Sequence, residues 1–148
     1  MTTVAPVNSP DSRKPAGLGA APDAQVVEFP AGIPGFEMCR RFVVIASPEL
    51  SPLSCLQSLD PPEASFLTVD PRLLDPQYDF TLREFERARL GAAVDEALVW
   101  LAIVTVTPDG GATANLRAPV VINARRMVGC QFIRDDHEYP VRFPLTRD

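Results

Sequence analysis

The stretch LVWLAIVTVTPDGGATANLRAPVVIN, from Leu98 to Asn123, carries the strongest local signals in this chain. Residues 98–106 are β-branched, aromatic or otherwise apolar, and they predict one long strand. The run PDGG at 108–111 supplies turn residues and residues 112–116 return, so the stretch predicts a β-hairpin. Pro119 then interrupts the return strand, because proline lacks the N–H group that a ladder needs.

The residues around that proline, ANLRAP at 114–119, fit three interpretations. They form a bent strand of a barrel, an active-site corner, or a rim on which another protein docks. In the first, the Asn115 side chain bonds backbone groups that the proline leaves unpaired. In the third, the bend leaves an edge or groove that a partner fills with backbone hydrogen bonds or an apolar helix. On that interpretation the residues that face a partner are Asn115, Leu116, Ala118 and Pro119.

Short apolar runs separated by turn residues continue on both sides of this stretch. They predict strands at 26–29, 42–45, 53–59 and 64–69, and two more after Pro119 that pair about residues 123–124. The unbroken run FVVI at 42–45 indicates burial on both faces. The last segment, HEYPVRFPL, is extended, and its prolines place it at a sheet edge. Eight or nine strands joined by turns predict a mainly β fold, a small antiparallel β-barrel-like single domain with one or two short helices.

The best helix signal is YDFTLREFERARLG, which predicts a helix over residues 82–90. Thr81 is placed to cap the first turn, and Glu84 three residues later completes a capping box. Phe80 and Phe85 occupy the positions of a hydrophobic staple on either side of the cap. The sequence therefore predicts a helix whose N-terminus is fixed by its own local residues.

Three glycines and one proline have roles in turns or helix ends. In GIPGFE, Pro34 presets the second position of a β-turn and Gly35 accepts the positive φ of the third, which predicts a type II turn over 33–36. Gly32, Pro34 and Gly35 are therefore assigned to the fold rather than to a binding site. Gly91 is placed to end the helix in the left-handed region.

Composition divides the 148 residues into a tail and one domain. Residues 1–24 are rich in Pro, Ala, Ser and Gly and lack an aromatic residue, so we expect a disordered N-terminal tail before a β-barrel domain at 25–148. The chain has 14 Lys and Arg residues and 19 Asp and Glu residues, which give a net charge of -5. That balance argues against direct nucleic-acid binding, which needs clustered cations, and favours a basic protein partner.

The cysteines and the hydropathy indicate a soluble cytoplasmic protein. Cys39, Cys55 and Cys130 are odd in number and widely spaced, which favours buried reduced thiols over a disulfide framework or a zinc site. The sequence has no signal-peptide pattern and no run of about 18 apolar residues, so we expect no membrane association.

Catalytic, cofactor and metal sites have weak support in the sequence. The one histidine, His137, lies in RDDHEY, and neighbouring side chains of an extended chain point in opposite directions. The segment is therefore interpreted as a hairpin tip or solvated edge rather than a metal cluster. No nucleophile elbow, phosphate-binding loop or dinucleotide fingerprint is present. We expect no enzymatic activity, no catalytic residue, no cofactor and no metal.

Six segments form a motif string that covers most of the chain in order. They are FPAGIPGFE (29–37), LQSL (56–59), FLTVDP (66–71), ANLRAPVVIN (114–123), GCQFI (129–133) and YPVRFPL (139–145). Each segment alone is a weak signal, but their order and spacing together are specific. The string resembles the FliW family of flagellar assembly factors.

The resemblance implies a small β-barrel-like protein that acts by partner exchange, without catalysis. Members of the family bind flagellin in the cytoplasm and also bind CsrA, a small basic RNA-binding translational repressor. When flagellin is scarce, the free protein captures CsrA and relieves repression of flagellin translation, and abundant flagellin reverses this. We take a monomer as the default state. Two alternatives stay open: a flagellin-specific chaperone without repressor binding, and a small-ligand-binding β-barrel.

Overall fold

The computed structural model of the chain describes residues 25–134 and 138–145, which form nine strands and two short helices. The tail predicted at 1–24 lies outside the described residues. The strands are β1 Val27–Glu28, β2 Arg41–Ile45, β3 Leu53–Ser58, β4 Ser65–Val69, β5 Val99–Val106, β6 Ala112–Ala114, β7 Val120–Asn123, β8 Val128–Gln131 and β9 Phe143–Pro144. The helices are α1 Pro71–Leu74 and α2 Glu84–Leu90.

Seven of the strands close a ring, which confirms the mainly β, barrel-like prediction. The order around the ring is β1, β2, β3, β4, β5, β7 and β8, and β8 returns to β1. The β1–β8 contact, at Glu28 and Val128, is parallel, and the other strand pairs that the structure describes are antiparallel. Closure removes most free strand edges, so the ring itself leaves little backbone for strand addition.

The predicted hairpin is present, and the break at Pro119 explains its shape. Strand β5 is long enough for two partners along one edge: Val99–Leu101 pair with β7, and Val104–Val106 pair with β6. Strand β4 pairs with the opposite edge of β5, where Leu67 meets Val104. Residues 115–119 are thus an excursion between two segments that share one edge of β5. This is the bent strand that the sequence allowed.

Two hydrophobic cores lie on the two faces of the ring. Side chains from six of its strands meet inside it, among them Val27, Phe42, Leu56, Phe66, Leu101 and Val120. The second core lies outside, between β4, β5, β7 and β8 on one side and residues 70–98 and 138–145 on the other. All four residues of β7 are buried because the two cores cover its two faces.

Strand β2 differs from its prediction, since Phe42 is the one apolar residue of this strand that is fully buried. Phe42 has no exposed surface, whereas Val43, Val44 and Ile45 keep part of theirs. The outer core does not reach β2, so the outward side chains of Val43 and Ile45 lack a covering layer, whereas Val44 faces the inner core at its margin. Burial on both faces was therefore wrong for this strand.

Helix α2 begins two residues later than predicted. The residue before its first turn is Arg83, whose backbone N–H donates to the Glu86 carboxylate over 2.7 Å. The Thr81 hydroxyl instead donates to the Asp79 carbonyl, and Phe85 is 58% exposed, so neither the predicted cap nor the staple forms. Leu82 is buried in the outer core, which holds it outside the helix. Gly91 ends the helix with φ 64°, as predicted.

The turn at 33–36 has the geometry that its sequence predicts. The Phe36 N–H donates to the Ile33 carbonyl over 2.6 Å, and Gly35 has φ 90°. Gly32 has φ 68°, and a Cβ there would lie 2.6 Å from the Cα of Glu37. A side chain would therefore strain the backbone and clash with the neighbouring loop.

The three cysteines are free and buried. Burial raises the pKa of the Cys55 and Cys130 thiols, which disfavours the reactive thiolate. We expect none of the three thiols to react rapidly with Ellman's reagent in the native protein, and all three to react once guanidinium unfolds the chain. Fast labelling of a thiol under native conditions would show that its region opens more readily than the structure indicates.

Candidate partner-binding surface

The corner at 115–119 is organised by the side chain of Asn115. The Asn115 Oδ1 atom accepts hydrogen bonds from the backbone N–H groups of Arg117, over 3.0 Å, and Ala118, over 3.2 Å. Its own N–H donates to the Ile103 carbonyl of β5 over 3.0 Å. Asparagine suits such a turn because its short amide bonds the backbone two or three residues ahead. The first interpretation of the sequence assigned Asn115 this role.

Three other elements bind the remaining polar groups of the corner. The Leu116 N–H donates to the Pro140 carbonyl over 3.0 Å, and the Tyr78 hydroxyl donates to the Leu116 carbonyl over 2.8 Å. The Gln131 side-chain amide donates to the Ala118 carbonyl over 2.9 Å. These backbone groups are therefore already paired, so they offer no edge for an added strand.

The side chains of the corner point mostly into the protein. Leu116 has no exposed surface, Ala118 is 4% exposed, and Pro119 is also buried. Asn115 is half-buried, so of the four residues predicted to face a partner it alone has side-chain surface available. The neighbouring Arg117 is half-buried as well. Partner contact here stays a prediction, and in this structure it rests on Asn115 and Arg117.

Residues 138–145 form a strap across the corner, which the sequence did not predict. The Arg117 Nε–H donates to the Tyr139 carbonyl over 2.7 Å, and the Tyr139 ring packs on Tyr78 with centroids 4.5 Å apart. The Tyr139 hydroxyl donates to the Asp79 carboxylate and accepts from the Asp79 N–H, each over 2.8 Å. Desolvation raises the pKa of Tyr139, and the nearby Asp79 and Asp75 carboxylates add to the rise. The Tyr139 hydroxyl thus stays protonated at ordinary pH and keeps its hydrogen bond to Asp79.

A buried ion pair joins α2 to the end of the segment after β8, and the sequence did not predict this either. Arg134 donates from one terminal nitrogen to the Glu86 carboxylate and from the other to the Thr81 carbonyl over 3.2 Å. The two side chains are 8% and 6% exposed, and the guanidinium lies 4.4 Å from the centroid of Phe80. The ion pair is buried away from solvent and holds α2 against the segment after β8. We therefore interpret it as a structural contact rather than a binding site.

One group of charged side chains on the described surface is held in place by its own hydrogen bonds. A depression beside β1 is lined by Glu28, Met38, Arg40, Arg41, Asp60 and Pro61. Hydrogen bonds from Arg41 and two backbone N–H groups lower the pKa of Asp60 and fix its carboxylate. Across 25–134 and 138–145, no three His, Cys, Asp or Glu side chains are grouped to hold a metal ion. His137 lies outside these ranges.

Comparison with known proteins assigns the chain to a family. The family model described as FliW protein matches residues 12–145. The chain belongs to the FliW family.

Individual FliW proteins agree over most of their length. The flagellar assembly factor FliW of Caldanaerobacter subterraneus subsp. tengcongensis is 34% identical over 128 residues, which are 85% of each chain. That of Syntrophomonas wolfei subsp. wolfei is 36% identical over 124 residues, 83% of this chain and 80% of the relative. A crystal structure of the flagellar assembly factor FliW superposes with a TM-score of 0.76 at 30% identity, covering 84% of this chain and 88% of the other.

The FliW-like motifs fall on the positions where the backbone has special requirements. GIPGFE forms the turn in which Gly32 and Gly35 have positive φ, and NLRAP forms the corner. YPVRFP forms the strap that covers the corner. Several motif residues therefore have a role in the fold itself. No helix in the described ranges is long and apolar enough to cross a membrane.

Proposed function

We propose that this chain is a cytoplasmic flagellar assembly factor that binds flagellin and a CsrA-type translational repressor. Capture of the repressor relieves repression of flagellin translation. When flagellin accumulates, it binds the chain and causes release of the repressor. The observation that carries the proposal is the agreement, along nearly the whole domain, with relatives named flagellar assembly factor FliW. The protein acts in this scheme as a monomer.

The geometry supports binding rather than catalysis. Polar groups that sit close together, such as Asn115 with the corner and Glu86 with Arg134, serve neighbouring backbone and side chains of the fold. An active site needs polar groups that are aimed at a substrate and left free for it. Partner exchange needs no catalytic group. It needs only surfaces that bind one partner protein in preference to another.

The charge balance supports a basic partner. The chain has a net charge of -5, and complementary charge raises the association rate and the specificity of a complex. A small basic RNA-binding repressor meets that requirement. Flagellin would then bind a surface that does not depend on negative charge.

Titration calorimetry of the full chain tests the proposal. Purified flagellin is titrated first, and the CsrA-type repressor of the same cell is titrated into the free chain and into the flagellin complex. We expect both proteins to bind the free chain, and flagellin to weaken repressor binding by at least about tenfold, as a coupling of about 1.4 kcal/mol would produce. Binding of flagellin alone would leave a flagellin-specific chaperone. Binding of neither by folded protein would refute the proposal and direct attention to small ligands of the barrel.

A further inference from the structure

The strap at 138–145 buries other residues more completely than it is buried itself. Five of its eight residues are exposed, and the other three, Tyr139, Phe143 and Leu145, are half-buried against the outer core. Leu116, which the strap covers, and Ala114, with which it pairs, have no exposed surface. The strap therefore covers the corner from outside and adds only three partly buried side chains to the core.

A short ladder attaches the strap to the sheet. The strap pairs with β6 through two residues, Phe143 and Pro144, and the Leu145 N–H donates to the Ala112 carbonyl over 2.9 Å. Pro144 has no N–H group, so it donates no hydrogen bond to β6. Strand β3, by comparison, is held in the ring by four residue pairs with β2 and five with β4. The strap is thus held by fewer backbone contacts than that strand.

The polar contacts of the strap lie at or near the surface. The hydrogen bonds between the Tyr139 hydroxyl and Asp79 are exposed, and the bond from Arg117 to the Tyr139 carbonyl is partly buried. Water replaces such partners readily, so these bonds add little net free energy. Segments with few buried apolar contacts and exposed hydrogen bonds open at a lower free energy than the core. The strap also lies outside the seven-stranded ring, so its release breaks no pair of ring strands.

Release of the strap would uncover a groove with hydrogen-bond donors. The Leu116 N–H now donates to the Pro140 carbonyl and the Arg117 Nε–H to the Tyr139 carbonyl, and both donors would lose their acceptors. The edge of β6 that faces the strap would become free. The Tyr78 ring, whose centroid is 4.5 Å from that of Tyr139, would form an apolar floor. Donors for carbonyl groups, a strand edge and an aromatic surface are the features that bind an extended peptide segment.

We infer that the strap is an autoinhibitory cover on a strand-binding groove, and that the open groove binds an extended segment of a partner protein. The strap shows the chemistry of that segment, because it occupies the groove within the same chain. The segment presents an aromatic residue with a hydroxyl group to Tyr78 and Asp79. Apolar side chains four and six residues later take the places of Phe143 and Leu145. Partner segment and strap compete for one groove, so the groove stays closed until a competing segment binds.

Hydrogen exchange of the full chain, measured by NMR, tests whether the strap opens separately from the domain. The Leu116 amide reports release of the strap directly, because its acceptor is the Pro140 carbonyl. We expect its protection factor to be at least about tenfold lower than those of the β7 amides, since β7 lies between β5 and β8 in the ring. Low concentrations of urea should accelerate exchange in β7 more than at Leu116, because release of the strap exposes less surface than unfolding. Exchange of Leu116 in step with β7 would refute the inference, because the strap would then open only when the domain unfolds.

A synthetic peptide with the sequence of the strap, EYPVRFPL, tests the groove itself. In fluorescence anisotropy with the labelled peptide, the full-length Tyr139→Ala chain is expected to bind at least about tenfold more tightly than the parent, because its own strap competes less well for the groove. The matched control is Val141→Ala, at a strap residue that is 45% exposed, and it should bind the peptide as weakly as the parent does. A peptide with alanine in place of its tyrosine should bind the Tyr139→Ala chain at least about tenfold more weakly than EYPVRFPL does.

Two results of the peptide experiment would overturn the inference. Equal binding by the parent and by Tyr139→Ala would place the peptide on a surface that the strap does not cover. Failure of a folded Tyr139→Ala chain to bind would mean that the strap is only a structural part of the domain. If Tyr139→Ala does not fold, Tyr139→Phe takes its place with the same expected direction, since it keeps the ring on Tyr78 and loses only the hydroxyl bonds to Asp79.

Discussion

Replacement of Leu116 by alanine is expected to lower the free energy of unfolding by about 2 to 5 kcal/mol. Leu116 has no exposed surface and belongs to the outer core. Its backbone is held by Tyr78 on one side and Pro140 on the other, so the corner cannot collapse into the space that the side chain leaves. Urea denaturation followed by far-ultraviolet circular dichroism measures the loss.

The control for this variant is Leu73→Ala, which makes the same chemical change at a surface position. Leu73 is 61% exposed on α1, so its truncation should change the free energy of unfolding by no more than about 0.5 kcal/mol. Equal losses for the two variants would mean that Leu116 is not packed as the structure shows. The result also decides how binding data at this corner are interpreted, because a variant that unfolds cannot report on a partner.

Local turn chemistry made much of the fold predictable. The PDGG run and the apolar strand before it define the hairpin, and Pro34 with Gly35 defines a turn whose backbone only certain residues adopt. Asn115 followed by a proline four residues later likewise indicated a bend, and its side chain makes the predicted hydrogen bonds. In each case the residues that determine the conformation are neighbours along the chain.

The predictions that differ from the structure depend on contacts between distant residues. Tyr139 meets Asp79 across 60 residues, and this strap is what buries the segment around Leu116. The residues next to Leu116 in the sequence do not indicate that the strap will cover it, so Leu116 was interpreted as a surface residue. Thr81 satisfied the local capping rule, but burial of Leu82 moved the helix start to Glu84. Tertiary packing there outweighed a local preference of about 1 kcal/mol.

The candidate site divides in the same way. The corner was located from sequence because asparagine and proline are distinctive, whereas the strap that covers it was not, because its contacts join residues far apart in the chain. A single sequence cannot show such proximity between distant segments.

The ion pair of Glu86 and Arg134 shows how a distant contact can fix a local element. Glu86 accepts from the Arg83 N–H at the start of α2 and from Arg134 on the segment after β8. The Glu86 carboxylate therefore caps the N-terminus of α2 and also neutralises the buried Arg134 cation. The Nε of Arg134 has no hydrogen-bond partner in the described structure, but its two terminal nitrogens bind Glu86 and Thr81, and its guanidinium lies against the Phe80 ring.

Arg134→Met is expected to lower the free energy of unfolding by about 3 to 5 kcal/mol, because it leaves the buried Glu86 carboxylate without its cation. Addition of Glu86→Gln should recover more than half of that loss, since a neutral amide still accepts from the Arg83 N–H. The matched control is Arg125→Met, which removes the 77% exposed partner of Glu96 and should cost at most about 1 kcal/mol. Urea denaturation of the three variants measures these differences. Similar losses for Arg134→Met and Arg125→Met, or no recovery in the double variant, would show that the buried charge does not control the stability of α2.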